Sequence, residues 1–207
     1  MPSIFLQARG LAFVFPQQPV FDNFSTTIAA GITYIVGGES CGKSTLLRLF
    51  SGDLMPQAGS IEVFGMSSKV NLASNKKHVF WTDPRTDAHD QISPNDYFDL
   101  HRKVYPEFDE ALLLEVIEGL SLSDHVAKSI YMLSAGSKRK VWLAAAFASG
   151  AFITLLDEPF AALDKASINF LVERLQRVAQ HEDRAWIIAD YEVPPNLSTI
   201  FALNLGL

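Results

Sequence analysis

Gly37-Gly38-Glu39-Ser40-Cys41-Gly42-Lys43-Ser44-Thr45 is the stretch on which the fold turns. It satisfies G-x-x-x-x-G-K-[ST], and each fixed position has a physical cause. The glycines let the backbone curl until several N–H groups point inward at phosphate oxygens. Lys43 has the length and charge to reach β- and γ-phosphates, and the Ser44 hydroxyl suits Mg²⁺. On one side lies Ile32-Thr33-Tyr34-Ile35-Val36, a short β-branched run that reads as a strand buried on both faces. On the other, Ser44–Phe50 reads as a helix whose positive dipole end faces the same anion. Strand, loop and helix in that order make this a phosphate-binding loop rather than an ordinary glycine turn. Gly37, Gly38, Glu39, Ser40, Cys41, Gly42, Lys43, Ser44 and Thr45 are therefore the expected nucleotide-binding residues.

Farther along, Phe152-Ile153-Thr154-Leu155-Leu156-Asp157-Glu158-Pro159 is an apolar strand ending in two acids. With a phosphate-binding loop upstream, Asp157 is expected in the Mg²⁺ shell and Glu158 beside the attacking water. Trp186–Ala189 and Val79–Trp81 read as further buried strands, and Ala166–Gln180 as an amphipathic helix. Buried strands alternating with helices imply a mainly parallel sheet covered on both faces. The opening differs: Ile4–Leu6, Leu11–Phe15 and Val20–Ile28 read as antiparallel strands, the last two separated by Pro16 and Pro19. From about Asp83 to Met132 the chain turns more polar and mostly helical, with Asp109–Gly119 at helical spacing. Val141–Leu156 is apolar but shorter than the roughly 20 residues of a membrane span, and Ser149-Gly150 interrupts it. It reads as a buried helix, a turn and a strand.

Composition bounds the partners. The 207 residues are 48% hydrophobic, enough for a substantial core. The net charge of −6 and the lack of any basic run beyond Lys138-Arg139-Lys140 argue against a nucleic-acid partner. The single cysteine, Cys41, rules out a disulfide within the chain and suits a reducing compartment. Met1–Gly10 lacks the charged start and apolar block of a secretory leader, so none is expected.

Leu133-Ser134-Ala135-Gly136-Ser137, just before a helix and between the two phosphate motifs, closely resembles the L-S-G-G-Q signature of ABC (ATP-binding cassette) ATPases. Asp164, in Ala161-Ala162-Leu163-Asp164, resembles the D-loop of that family, and Phe15 lies where its members stack an aromatic ring on adenine. The resemblance covers nearly the whole chain, and its compactness is similar to bacterial cassettes of the haem-exporter type. It implies an α/β fold of the P-loop NTPase kind: a RecA-like core with a mainly parallel sheet, an antiparallel β start and an inserted helical subdomain. Residues 1–82 and 136–207 would form the core, and 83–135 the helical subdomain with the signature at its end. It also implies ATP and Mg²⁺ as ligands, ATP hydrolysis, a second cassette as homo- or heterodimer partner, and a transmembrane permease. The chain would then sit on the cytoplasmic face of the inner membrane. In such a dimer Ser134, Ala135, Gly136 and Ser137 serve the partner's γ-phosphate.

Three positions depart from the family pattern. Ser137 replaces the last signature Gln. Asp83 stands nearest to a Gln that contacts Mg²⁺, and a carboxylate can still serve that ion. Asp190, directly after the last strand, stands where the family has a His on the γ-phosphate; an ionised carboxylate donates nothing there and repels the phosphate. His181 precedes that strand and cannot replace it. Two function classes follow: an ATP hydrolase, favoured by Glu158, or a slowly hydrolysing cassette used as a regulatory or structural switch, favoured by Asp190.

Overall fold

The computed structural model describes residues 4–16, 18–63, 66–67, 77–180, 182–197 and 201–206. The chain opens with a long strand, β1 (Ile4–Phe15), paired antiparallel with β2 (Gln18–Ala29). The two short runs expected at Ile4–Leu6 and Leu11–Phe15 are one strand. The ladder slips between Ala8 and Leu11, where Gly10 has φ +58°, and the bulge bends the strand without ending it. β4 (Ala58–Val63) and the two-residue β5 (Met66–Ser67) complete this antiparallel sheet in the order β2-β1-β4-β5.

A second sheet holds the site. Its five strands are parallel, in the order β6 (Val79–Phe80), β7 (Ile153–Asp157), β8 (Ala185–Asp190), β3 (Gly31–Val36) and β9 (Phe201–Asn204). The unpolarised sequence of β3 has its cause in this position: both faces are covered, and alternate residues enter different cores. Ile32 and Tyr34 face one core, which also takes Trp186, Ile188 and Leu156; Ile35 faces the other, with Ile187, Ala189 and Leu155. Helix α1 (Lys43–Ser51) lies in the second core, placing Leu46, Leu47, Leu49 and Phe50 between the parallel sheet and the β1/β4 layer.

The first core continues into the helices. α2 (Pro94–Val104) starts at a reciprocal capping box, Ser93 with Asp96, with Pro94 in the first turn. α3 (Glu110–Gly119) is capped by Asp109, and α5 (Lys165–Val178) covers the sheet. Among them runs α4 (Ala135–Ala148), whose residues from Val141 to Ala148 are all buried. Four alanines at 144, 145, 146 and 148 keep that helix thin enough to be enclosed. Among the described residues no helix is long and apolar enough to cross a membrane; Val141–Leu156 is the helix, turn and strand expected.

Candidate nucleotide-binding site

β3 ends at Val36, the chain curls through Gly37–Gly42, and α1 begins at Lys43. Gly42 is the N-cap with φ +100°, in the left-handed region, and a Cβ there would lie 2.7 Å from Val20 Cγ1. Glycine is thus required both by dihedral and by space. Lys43 is only 6% exposed. Its Nζ donates to the carbonyl oxygens of Gly37 and Gly38, each at 2.8 Å, and stands 4.4 Å from the centre of the Tyr191 ring. Two carbonyls and an aromatic face hold the ammonium aimed along the loop.

Above the loop is a cavity of about 470 Å³. Its walls include Phe15, Glu39, Ser40, Cys41, Gly42, Lys43, Ser44, Thr45 and Glu158, which sequence motifs had marked. Arg85 and Tyr191, which no motif marked, complete it together with Gln18 and Val20. Arg85 comes from the irregular segment after β6, where no periodicity exists to read. For Tyr191 one signal was present, an aromatic directly after the strand-ending Asp190.

Asp157, the last residue of β7, is 5% exposed. Burial raises its carboxyl above the usual range, with Glu158 and Asp83 adding to the rise and the Ser44 hydroxyl and Arg85 opposing it. Its Oδ2 lies 3.5 Å from Arg85 Nη2, and Oδ1 is buried with no hydrogen-bond partner. Arg85 Nη2 also donates to Ser44 Oγ at 3.2 Å. A buried carboxylate with an unused oxygen and a hydroxyl beside it are hard oxygens that fit Mg²⁺, and the cationic Arg85 group rests where such an ion would be held.

Glu158 follows in a strained conformation, φ +46°, in which a non-glycine residue is held at a cost of about 1–3 kcal/mol. Two contacts enforce it. Its N–H donates to Ala189 O at 2.8 Å, and Arg139 Nη1 donates to the carbonyls of Asp157 (3.0 Å) and Glu158 (2.5 Å). Arg139 lies on α4, so the helix behind the signature also holds the turn that carries the acids.

Other marked residues lie off the cavity. Asp83 lines the adjoining cleft with Trp81, Tyr97 and His101. Its Oδ1 accepts the Arg85 backbone N–H at 2.9 Å, so its observed work is to shape the turn that presents Arg85. Asp190 ends β8 with Oδ1 accepting the Tyr191 N–H at 2.8 Å. Burial raises its carboxyl, Glu158 and Asp157 raise it further, and the Tyr191 N–H and Lys43 oppose them. Tyr191 forms the wall there. His181 lies outside the described residues.

Leu133–Ser137 also stands apart from the cavity. Ser134 is the N-cap of α4, which begins at Ala135, inside the signature rather than after it, and its Oγ accepts the Ser137 N–H at 3.1 Å. A Cβ on Gly136 would collide with the Ala162 carbonyl oxygen, so this position admits only glycine. Asp164 caps α5 and accepts from Lys140 Nζ at 2.7 Å, which with Ser167 holds its carboxyl well below the usual range.

The ABC transporter family model matches residues 21–161, which span the phosphate-binding loop, the signature and both acids. The chain is a member of the ABC transporter family. The cassette is 29% identical over 184 residues to the cytochrome c biogenesis ATP-binding export protein CcmA of Escherichia coli (strain K12), covering 88% of this chain and 86% of that one. Its identity to the CcmA of Legionella pneumophila (strain Lens) is also 29%, over 196 residues and 95% of that protein. Among solved structures, the cassette superposes on a putative ABC transporter ATP-binding protein from Pyrococcus furiosus with a TM-score of 0.77, 25% identity, and coverage of 97% of this chain and 96% of that one. An ATP-binding subunit of an ABC transporter gives 0.81 at 19% identity, covering 90% of the cassette and 79% of that chain, which is a likeness of fold. The P-loop NTPase architecture expected from the sequence, parallel sheet and antiparallel start included, is the one found.

Proposed function

We propose that the cassette binds and hydrolyses ATP and powers a separate transmembrane subunit by closing on a second cassette. The observation that carries this reading is the convergence of Lys43, Ser44, Asp157 and Glu158, from two distant parts of the chain, on one cavity and its floor. Lys43 serves the β- and γ-phosphates from the start of α1, where the backbone N–H groups and helix dipole add favourable field. Ser44 and Asp157 hold Mg²⁺; when bound, the ion supplies charge neutralisation for the phosphates. Glu158 orients the attacking water and accepts its proton, and its strained turn fixes the carboxylate against the cavity. Phe15, half-buried against Phe13 with ring centres 5.0 Å apart, offers the adenine a flat apolar face.

Ser134 and Gly136 act on the partner's nucleotide, at the exposed N-terminus of α4 and beside the D-loop Asp164. Residues 83–135 form the lobe that presents them, and the working location is the cytoplasmic face of the membrane that holds the permease. A second reading, a slowly hydrolysing switch, is favoured by the end of β8: Asp190 stands there in place of a histidine, and burial raises its carboxyl, with Glu158 and Asp157 adding to the rise.

The test is calorimetry with Mg²⁺-ATP. The wild-type cassette binds, and Lys43→Ala loses at least about tenfold in affinity, since it removes a charge-assisted contact of about 1.5–3 kcal/mol. Equal affinities for the two proteins would sink the assignment. A brisk hydrolysis rate that Asp190→His leaves unchanged or slows favours the enzyme; a slow rate that Asp190→His raises favours the switch.

A further inference from the structure

Arg85 occupies a position that the nucleotide-binding role of the site does not by itself explain. Its side chain is 66% exposed, yet its Nη2 reaches inward to Ser44 Oγ (3.2 Å) and to Asp157 Oδ2 (3.5 Å), whose side chain is only 2% exposed. An ion pair between two exposed groups is worth little, but here one partner is a buried carboxylate with its other oxygen unpartnered, and such a group requires a cation. The guanidinium is delivered deliberately: Asp83 Oδ1 caps the Arg85 N–H, and the Asp83 carbonyl accepts the Thr86 N–H at 3.1 Å, closing a turn that points the side chain into the cavity. Guanidinium and divalent ion therefore compete for one pair of oxygens. Once displaced, a side chain this exposed swings within the cavity that it already lines, where the phosphates of a nucleotide provide its next partner.

We propose that Arg85 is an internal counter-cation of the site, which holds Ser44 and Asp157 in place of a metal ion and passes to the nucleotide phosphates, making ATP binding less dependent on Mg²⁺. The proposal rests on the nucleotide-binding role given above. It makes metal dependence, rather than affinity for Mg²⁺-ATP alone, the property that Arg85 sets.

The decisive measurement is ATP affinity by calorimetry with saturating Mg²⁺ and with EDTA, for the wild type and for Arg85→Ala, Arg85→Gln and Arg85→Lys. Arg85 is exposed and in a loop, so the variants should fold, and thermal melting checks this. The ratio of the two affinities measures the coupling between metal and nucleotide. Losing a charge-assisted pair should raise that ratio about tenfold or more in the Ala and Gln variants, while Lys, which keeps the charge, stays near wild type. A ratio unchanged in Ala and Gln would overturn the role of Arg85. No binding of Mg²⁺-ATP by the wild type would instead overturn the reading of the site.

Discussion

His101 is a titratable residue held in a largely apolar, aromatic setting. It sits on α2 among Phe80, Tyr97, Tyr105 and His89, stacked on the Tyr105 ring with centres 5.7 Å apart, and its Nδ1 is buried without a partner. Burial pushes the imidazole down to about 4 from an ordinary 6.5, with His89 pushing the same way. The sign follows. Above pH 6.5 the ring is neutral in both folded and unfolded chains and costs nothing. Between 6.5 and 4 the unfolded chain takes up a proton that the folded one refuses, so stability falls with pH, by about 1.4 kcal/mol per pH unit for one proton. Denaturant melts at pH 7, 5.5 and 4.5 should show this slope, and His101→Gln should flatten it even where it lowers stability overall. An identical slope in the variant would place the acid sensitivity elsewhere. The same cleft is lined by Asp83, whose Oδ1 accepts the Arg85 backbone N–H.

At the scale of elements, β3, α1, β7, β8 and α5 were legible because each has a periodicity or an unbroken apolar run of its own. The loop between β3 and α1 was legible because its chemistry leaves few sequence choices. β4 and β9 were not. β4 buries only Ile61 and Val63 and takes its identity from pairing with β1; β9 is an edge strand whose Phe201 is largely exposed. Non-local pairing leaves little local trace. Arg85 was hidden for a related reason, since turns place side chains without a period. α4 shows a double duty that sequence alone assigned singly. Its first turn carries the signature, yet Ser134 is also the cap that starts the helix, and Arg139 on the same helix clamps Glu158. Ser134→Ala should therefore cost about 1 kcal/mol of stability, or roughly 2–4 °C in Tm, while the single cassette still binds ATP at wild-type affinity. Loss of ATP affinity by calorimetry would place Ser134 in its own chain's cavity.

For the whole molecule, the arrangement is incomplete in one respect. The cavity has its loop, its acids and its aromatic wall, but none of Leu133–Ser137 lines it. The signature instead opens outward beside Tyr131 and Met132, both more than half exposed. Two copies of the chain turned about a two-fold axis would bring each signature to the other's cavity, an isologous contact that closes on itself. ATP would be the ligand that joins them, and hydrolysis the step that lets them part. Glu158→Gln removes the base proposed for the attacking water but leaves Lys43, Ser44 and Asp157 in place, so it should hold the pair closed. Light scattering of Glu158→Gln with saturating Mg²⁺-ATP is the most direct measurement: a species of twice the 22.9 kDa chain mass is expected, reverting when ATP is withdrawn. A variant that stays at 22.9 kDa while calorimetry shows ATP bound would contradict the pairing of two such cassettes.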